Sequence, residues 1–145
     1  MYRLAGDDVA ALWSTLAGVA ARHLAEVEVL AGEYLGARDG LEQVTADELA
    51  KRLGAGEVIV LDVRPTAEYA AGHIAGARSA PIEQLPGLIG ELPHDSEVVA
   101  YCRGPYCVYA DDAVRLLHEH GVAARRLDIG FPEWQRAGHP VATAR

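Results

Sequence analysis

This sequence predicts an α/β fold: a mainly parallel central sheet with helices on both faces, preceded by a long N-terminal helix. Three observations carry that expectation. The runs Val58-Ile59-Val60-Leu61 and Val98-Val99-Ala100-Tyr101 are continuously apolar, without the alternation of a strand that has one wet face. Such runs belong to strands buried on both faces of a parallel sheet. Helical patterns with start and stop signals lie between and after them, so strands and helices alternate from Leu41 onward. Ahead of that region stands a proline-free segment, Asp7 to Leu35, whose apolar residues recur in three- and four-residue steps.

The N-terminal segment reads as one helix, with Asp7 or Asp8 as N-cap and Gly36 as the residue just past its end. Val9, Leu12, Trp13, Leu16, Ala20, Val27, Leu30 and Tyr34 form its apolar stripe. At 1.5 Å per residue such a helix runs about 43 Å, longer than the roughly 105 residues that follow need. It either packs along its own domain or pairs with its twin in a homodimer, and its length favours the second. Gly36-Ala37-Arg38-Asp39-Gly40 is the natural boundary, which divides the chain into 1–40 and 41–145.

Thr45-Ala46-Asp47-Glu48 is a capping box and opens a helix closing near Gly54. Val58 to Leu61 is the first buried strand. Thr66 to Ala71 reads as a short helix, Ala77 to Ile82 as a strand, and Glu83 to Leu92 as a helix around Pro86. Val98 to Tyr101 is the next buried strand, followed by a helix from Val108 to His120 that Gly121 stops. Arg125 to Ile129 reads as the last strand and Pro132 to Ala137 as a closing helix.

Composition narrows the function. A net charge of −8 argues against nucleic acid as a partner of this chain by itself, because binding phosphates needs a basic face. The first residues are polar and acidic rather than basic and then apolar, and no window approaches the roughly 18 apolar residues of a membrane span. The expectation is a cytoplasmic protein. In a compartment that keeps thiols reduced, two cysteines five apart suit reactive chemistry better than a structural disulfide. Without a second Cys or His pair at ligand spacing, neither a metal nor a cofactor is expected. His118 and His120, two apart on a helix, are read as surface residues.

Cys102 is the centre of the chemistry. It sits at the carboxyl end of a strand and beneath the start of a helix, where backbone N–H groups and the positive dipole end favour an anion. A thiol there has a lowered pKa, and Arg103 pushes the same way. A fall from about 8.5 to about 6.5 would raise the thiolate fraction at pH 7 from roughly 3% to roughly 75%. Arg103 has two readings: a charge that attracts an anionic substrate, or a solvated surface charge. Cys107 also has two: a thiol that resolves an adduct on Cys102 by closing a disulfide, or a small packed residue in the first helical turn.

Asp62-Val63-Arg64, Glu68-Tyr69 and Gly72-His73-Ile74-Ala75-Gly76-Ala77 together resemble the first signature of the rhodanese domain. Cys102 with its loop, and Gly130-Phe131-Pro132-Glu133-Trp134, resemble its active-site and closing signatures. The resemblance covers about Val44 to Val141 and implies a sulfurtransferase. In such a domain the cysteine takes sulfane sulfur from an anionic donor such as thiosulfate and carries it as a persulfide. It then passes the sulfur to a thiol or cyanide. Cys102 would be the nucleophile, with the backbone amides of Arg103, Gly104, Tyr106, Cys107 and Val108 as the cradle; Pro105 has no N–H to give. Asp62 and Arg64 are read as a structural charged pair beside the site, and His73 as a hydrogen-bonded turn residue. Phe131 and Trp134 are core or rim aromatics.

A phosphatase or arsenate reductase built on the same fold is the nearest competitor. That chemistry resembles a cysteine loop ending in an arginine that clamps the oxyanion. The arginine's position here is Val108, which clamps nothing. Tyr2-Arg3-Leu4-Ala5 and the helix after it resemble the last wing strand and C-terminal dimerisation helix of an ArsR-type regulator. That second resemblance implies another role: a sulfur- or redox-sensing module working through Cys102 and Cys107 for a transcriptional regulator.

Overall fold

The computed structural model describes residues 6–36, 38, 40–93 and 95–144. The chain divides into two compact units that adjoin in sequence between residues 37 and 38. Tyr2 to Ala5, the proposed wing strand, lie outside the described residues.

The first unit holds α1 (Asp7–His23) and α2 (Ala25–Leu35), so the expected single helix is two. Leu24 is extended (φ −115°, ψ 101°). It closes α1 by donating its N–H to Ala20 O at 2.9 Å, and its own carbonyl accepts from Val27 at 3.0 Å. A new helix thus starts after a single extended residue. No proline or glycine marks the break, and leucine is a good helix former, so local propensity gave no sign of it. The N-cap is Gly6 rather than Asp7 or Asp8; the Asp8 carboxylate accepts instead from the neighbouring Val9 N–H. Gly36, expected just past the helix end, is the C-cap of α2 at φ +68°, ψ −172°, a conformation open to glycine. Leu12 and Trp13 on the apolar stripe are 70% and 69% exposed.

The second unit is built on a five-stranded sheet. Its elements are β1 (Gln43–Val44), α3 (Ala46–Ala55), β2 (Val58–Asp62), α4 (Thr66–Ala71), β3 (His73–Ile74), β4 (Arg78–Ser79), α5 (Leu85–Leu88), β5 (Glu97–Tyr101), α6 (Tyr109–Glu119), β6 (Ala124–Leu127), α7 (Phe131–Arg136) and β7 (Val141–Ala142). The sheet order is β1-β6-β5-β2-β4, and each pairing is parallel. Alternation along β5 sorts its side chains. Val98, Ala100 and then Cys102 join the core formed with Leu85, Ala113, Val114 and Leu117 of α5 and α6. Val99 and Tyr101 join Leu49 of α3 with Phe131 and Trp134 of α7 on the other face.

Thr45 caps α3 as expected, its hydroxyl accepting from the Glu48 N–H, but the helix runs through Gly54 and stops at Gly56, φ +71°. The strand expected from Ala77 to Ile82 is only two residues long. Its continuation still bonds Asp62 and Val63 through the Ala80 and Ile82 N–H groups, whereas Pro81 has none to offer. The helix expected from Glu83 to Leu92 begins at Leu85, because Pro86 fits only a first turn, and tightens to a 3₁₀ turn over Ile89–Glu91. The sequence reading missed β1 and the antiparallel pair β3–β7, in which His73 faces Ala142 and Ile74 faces Val141. His73 is therefore a buried strand residue, not a turn residue. Its Nδ1 lies 2.9 Å from Tyr69 O, and its ring stacks on that of Tyr69.

Candidate active site

Central strand β5 delivers Cys102 to the carboxyl edge of the sheet, and residues 102–108 form the loop that leads into α6. Cys102 is 2% exposed and is joined to Cys107 in a disulfide whose Cα atoms are 6.3 Å apart. Cys107 in this state is thus a bonded partner of Cys102 rather than a packed free thiol. The Cys107 N–H donates to Gly104 O at 3.1 Å. One of the amides expected in the cradle is therefore turned to the loop's own backbone while the disulfide is closed. Tyr106 is exposed, Gly104 is half-buried, and Val108 accepts from the Asp112 N–H as the cap of α6.

The loop is seated from two sides. Phe131 donates its N–H to Cys102 O at 3.1 Å, which brings Gly130 against the loop backbone. A Cβ at Gly130 would lie 2.3 Å from Arg103 C and O and from Gly104 N, so only glycine fits there. Gly130 N–H donates to the Glu133 carboxylate at 3.1 Å, which fixes the start of α7. On the other side Arg38 reaches the loop carbonyl of Pro105. That contact is not legible in the sequence, because an arginine in a glycine-rich boundary reads as a solvated charge.

Arg103 forks onto Glu68, its Nε 3.0 and 3.1 Å from the two carboxylate oxygens. Hydrogen bonding to Glu68 raises its pKa against a smaller effect of burial. Its charge is thus matched by a carboxylate on α4, while half of its side chain remains exposed.

Asp62 and Arg64 form a buried pair behind Cys102. Arg64 Nε and its backbone N–H both donate to Asp62 Oδ1, at 2.9 and 3.0 Å, and Nη2 donates to Gly72 O at 2.7 Å. Burial pulls Arg64 down, and the bonds to Asp62 outweigh it, so its pKa is raised. The Tyr101 hydroxyl donates to Asp62 Oδ2 at 2.6 Å and accepts from the Ile74 N–H at 3.1 Å. Burial first, then the Asp62 charge, pushes the Tyr101 pKa up, so it stays a neutral donor. The network ties the ends of β2, β3 and β5 together, and its tyrosine was not singled out from sequence. Among the described residues no cluster of His, Cys, Asp or Glu is placed to hold a metal, and no helix is long and apolar enough to cross a membrane.

A cysteine in a loop between a parallel strand and a helix, at the carboxyl edge of the sheet, stands where α/β domains place their sites. Among such domains the chain belongs to the rhodanese-like domain family, whose model matches residues 45–137. It is 49% identical over 140 residues to the HTH-type transcriptional regulator Rv0324 of Mycobacterium tuberculosis, covering 97% of this chain and 61% of that protein. The chain thus spans about three-fifths of that relative's length. It is also 31% identical over 102 residues to a sulfurtransferase of Allochromatium vinosum, covering 70% of this chain and 94% of the relative. Among solved structures, the BH2092 protein of Bacillus halodurans superposes with a TM-score of 0.67 at 25% identity, covering 70% of this chain and 77% of that one.

Proposed function

We propose that the chain is a sulfurtransferase working through a persulfide on Cys102. The carrying observation is that Cys102 stands at the end of central strand β5, in a loop whose far end is the N-terminus of α6. The reaction begins from the reduced loop, after a thiol has opened the disulfide by exchange. The Cys102 thiolate attacks the outer sulfur of an anionic donor such as thiosulfate. An S–S bond forms to Cys102, the donor's S–S bond breaks, and sulfite leaves with the electron pair. Cyanide or a thiolate then attacks the outer sulfur of the persulfide, and the Cys102 thiolate leaves. The amides of Arg103, Gly104, Tyr106 and Val108 serve the anion, joined by that of Cys107 once the loop opens.

The test is intact mass of the reduced chain after thiosulfate, with and without cyanide. One added sulfur that cyanide removes is expected, and Cys102→Ser should abolish both the adduct and thiocyanate formation. If Cys102→Ser keeps the activity and Cys107→Ser loses it, the nucleophile is the other cysteine.

Two observations favour a second reading, a sulfur- or redox-sensing module: the Cys102–Cys107 disulfide and the likeness to a transcriptional regulator. With excess donor and cyanide, a sensor is modified once and turns over poorly, whereas an enzyme cycles. Either reading has a cytoplasmic chain, small-molecule sulfur compounds as ligands, and a homodimer formed through the helices before residue 41.

A further inference from the structure

Arg38, the first residue of the second unit, makes contacts that a boundary arginine has no need of. Its Nε donates to Asp111 Oδ2 at 2.8 Å, and its Nη2 donates to the Pro105 carbonyl at 2.8 Å. One guanidinium thus bridges the sulfur-bearing loop and the helix that the loop runs into. Asp111 is fully buried in the first turn of α6, and its other oxygen lies 3.3 Å from Nε of the buried Arg126 on β6, without hydrogen-bond alignment. The anchor is therefore built into the sheet. Only a quarter of the Arg38 side chain is exposed. Pro105 lies between the two cysteines, three residues after Cys102 and two before Cys107, so a hold on its carbonyl acts on the segment that must bend for the sulfurs to meet.

We propose that Arg38 is a positioning residue for the cysteine pair: by holding Pro105 to Asp111 it keeps the loop bent so that the Cys107 sulfur reaches Cys102, and it favours closure of the disulfide. A flexible loop spends most of its time in arrangements where the two sulfurs are apart. Restraining its middle raises the effective concentration of one thiol at the other without any new sulfur contact. The bonds to Arg38 are charge-assisted and the carboxylate is buried, so the restraint is strong enough to matter. The inference deepens the reading of Cys102 and Cys107 as the functional pair, and it rests on that reading.

The measurement is a thiol–disulfide exchange equilibrium in defined ratios of oxidised to reduced dithiothreitol. The protein dithiol reduces cyclic dithiothreitol disulfide, giving the Cys102–Cys107 disulfide and the open dithiol; two electrons and two protons move. In the whole chain, Arg38→Gln should lower the equilibrium constant for closure at least threefold. Arg38→Lys keeps the charge but cannot fork, and should give a smaller decrease. It also serves as the working variant if the glutamine protein folds poorly. A role confined to stability would lower the melting temperatures of the dithiol and disulfide forms alike and leave the exchange constant unmoved. Wild-type constants in the variants overturn the proposal, as does a wild-type pair that never closes. Thiosulfate loading of Cys102, measured in parallel, separates the two failures. Loss of loading with an intact Arg38 effect removes the sulfurtransferase reading alone.

Discussion

Gly130 has no side chain, yet the sulfur loop depends on it. Its α-carbon faces the Arg103–Gly104 peptide so closely that a methyl group has nowhere to go, and backbone cannot swing aside as a flexible side chain could. Gly130→Ala should cost about 1–3 kcal/mol in urea unfolding, the usual range for overpacking, and should slow thiosulfate turnover because it displaces the loop from the Cys102 carbonyl contact. A variant with wild-type stability and turnover would contradict that account of the junction. Tyr101→Phe tests the network behind the cysteine. It leaves the Ile74 N–H without its partner and one Asp62 oxygen short of a donor, both buried, for an expected loss of about 1–3 kcal/mol. Cys107→Ser should still load sulfur on Cys102 and hold the persulfide longer when no acceptor is present. Equal persulfide half-lives in the two proteins would argue against a resolving role.

Between elements, Glu97 does the joining on the face away from the site. At the start of β5 it binds Arg52 of α3 and Arg125 of β6, with Glu48 also beside Arg125. Burial alone would raise its pKa. The hydrogen bonds to Arg125 and Arg52 outweigh that, and its value is held below the ordinary 4.5. A carboxylate whose pKa is depressed by folding contributes stability that is present above its unfolded pKa and lost as pH falls through the folded one. Glu97→Gln should therefore cost roughly 1–2 kcal/mol at pH 7, and the gap to wild type should narrow steadily below about pH 4.5. Urea titrations at pH 7 and pH 3.5 measure it; a gap that stays constant would mean that the charge on Glu97 contributes nothing. Asp128 behaves in the opposite sense. Burial raises its pKa, so its ionised form costs stability near neutrality, and protonation relieves that cost as pH falls. Comparing Glu97→Gln with wild type at each pH cancels the Asp128 contribution, which both proteins share.

For the whole molecule, the first unit leaves Leu12, Trp13 and Leu16 of α1 and Leu30 and Tyr34 of α2 exposed, and large exposed apolar side chains of this kind are characteristic of interaction surfaces. A symmetric pairing of two copies through these helices is expected, with the same residues used on both. Light scattering of the full chain should report a dimer, and removal of residues 1–36 should leave a folded monomer with a cooperative melt. A monomeric full chain would remove the idea. The second unit has the means to fold alone, since its sheet is covered on one face by α3 and α7 and on the other by α5 and α6.

The sheet was legible in the sequence because a strand buried on both faces must be apolar at every position, and Val58–Leu61 and Val98–Tyr101 meet that condition without reference to anything distant. Cys102 was legible for the same reason: a cysteine that ends such a run, ahead of a helix, has its place set by local pattern. Tertiary structure decided what depends on residues far apart in the chain. β3 and β7 are two residues each and exist only because His73 and Ile74 find Ala142 and Val141 across the fold. The break at Leu24 falls on a residue that favours helix, so no local preference marks it. Arg38 meets Pro105 and Asp111 from 67 and 73 positions away, and a contact of that separation leaves no periodicity to read. Local patterns determine which segments become strands or helices and where a reactive residue falls; the long-range packing of those segments determines which groups hold it in place.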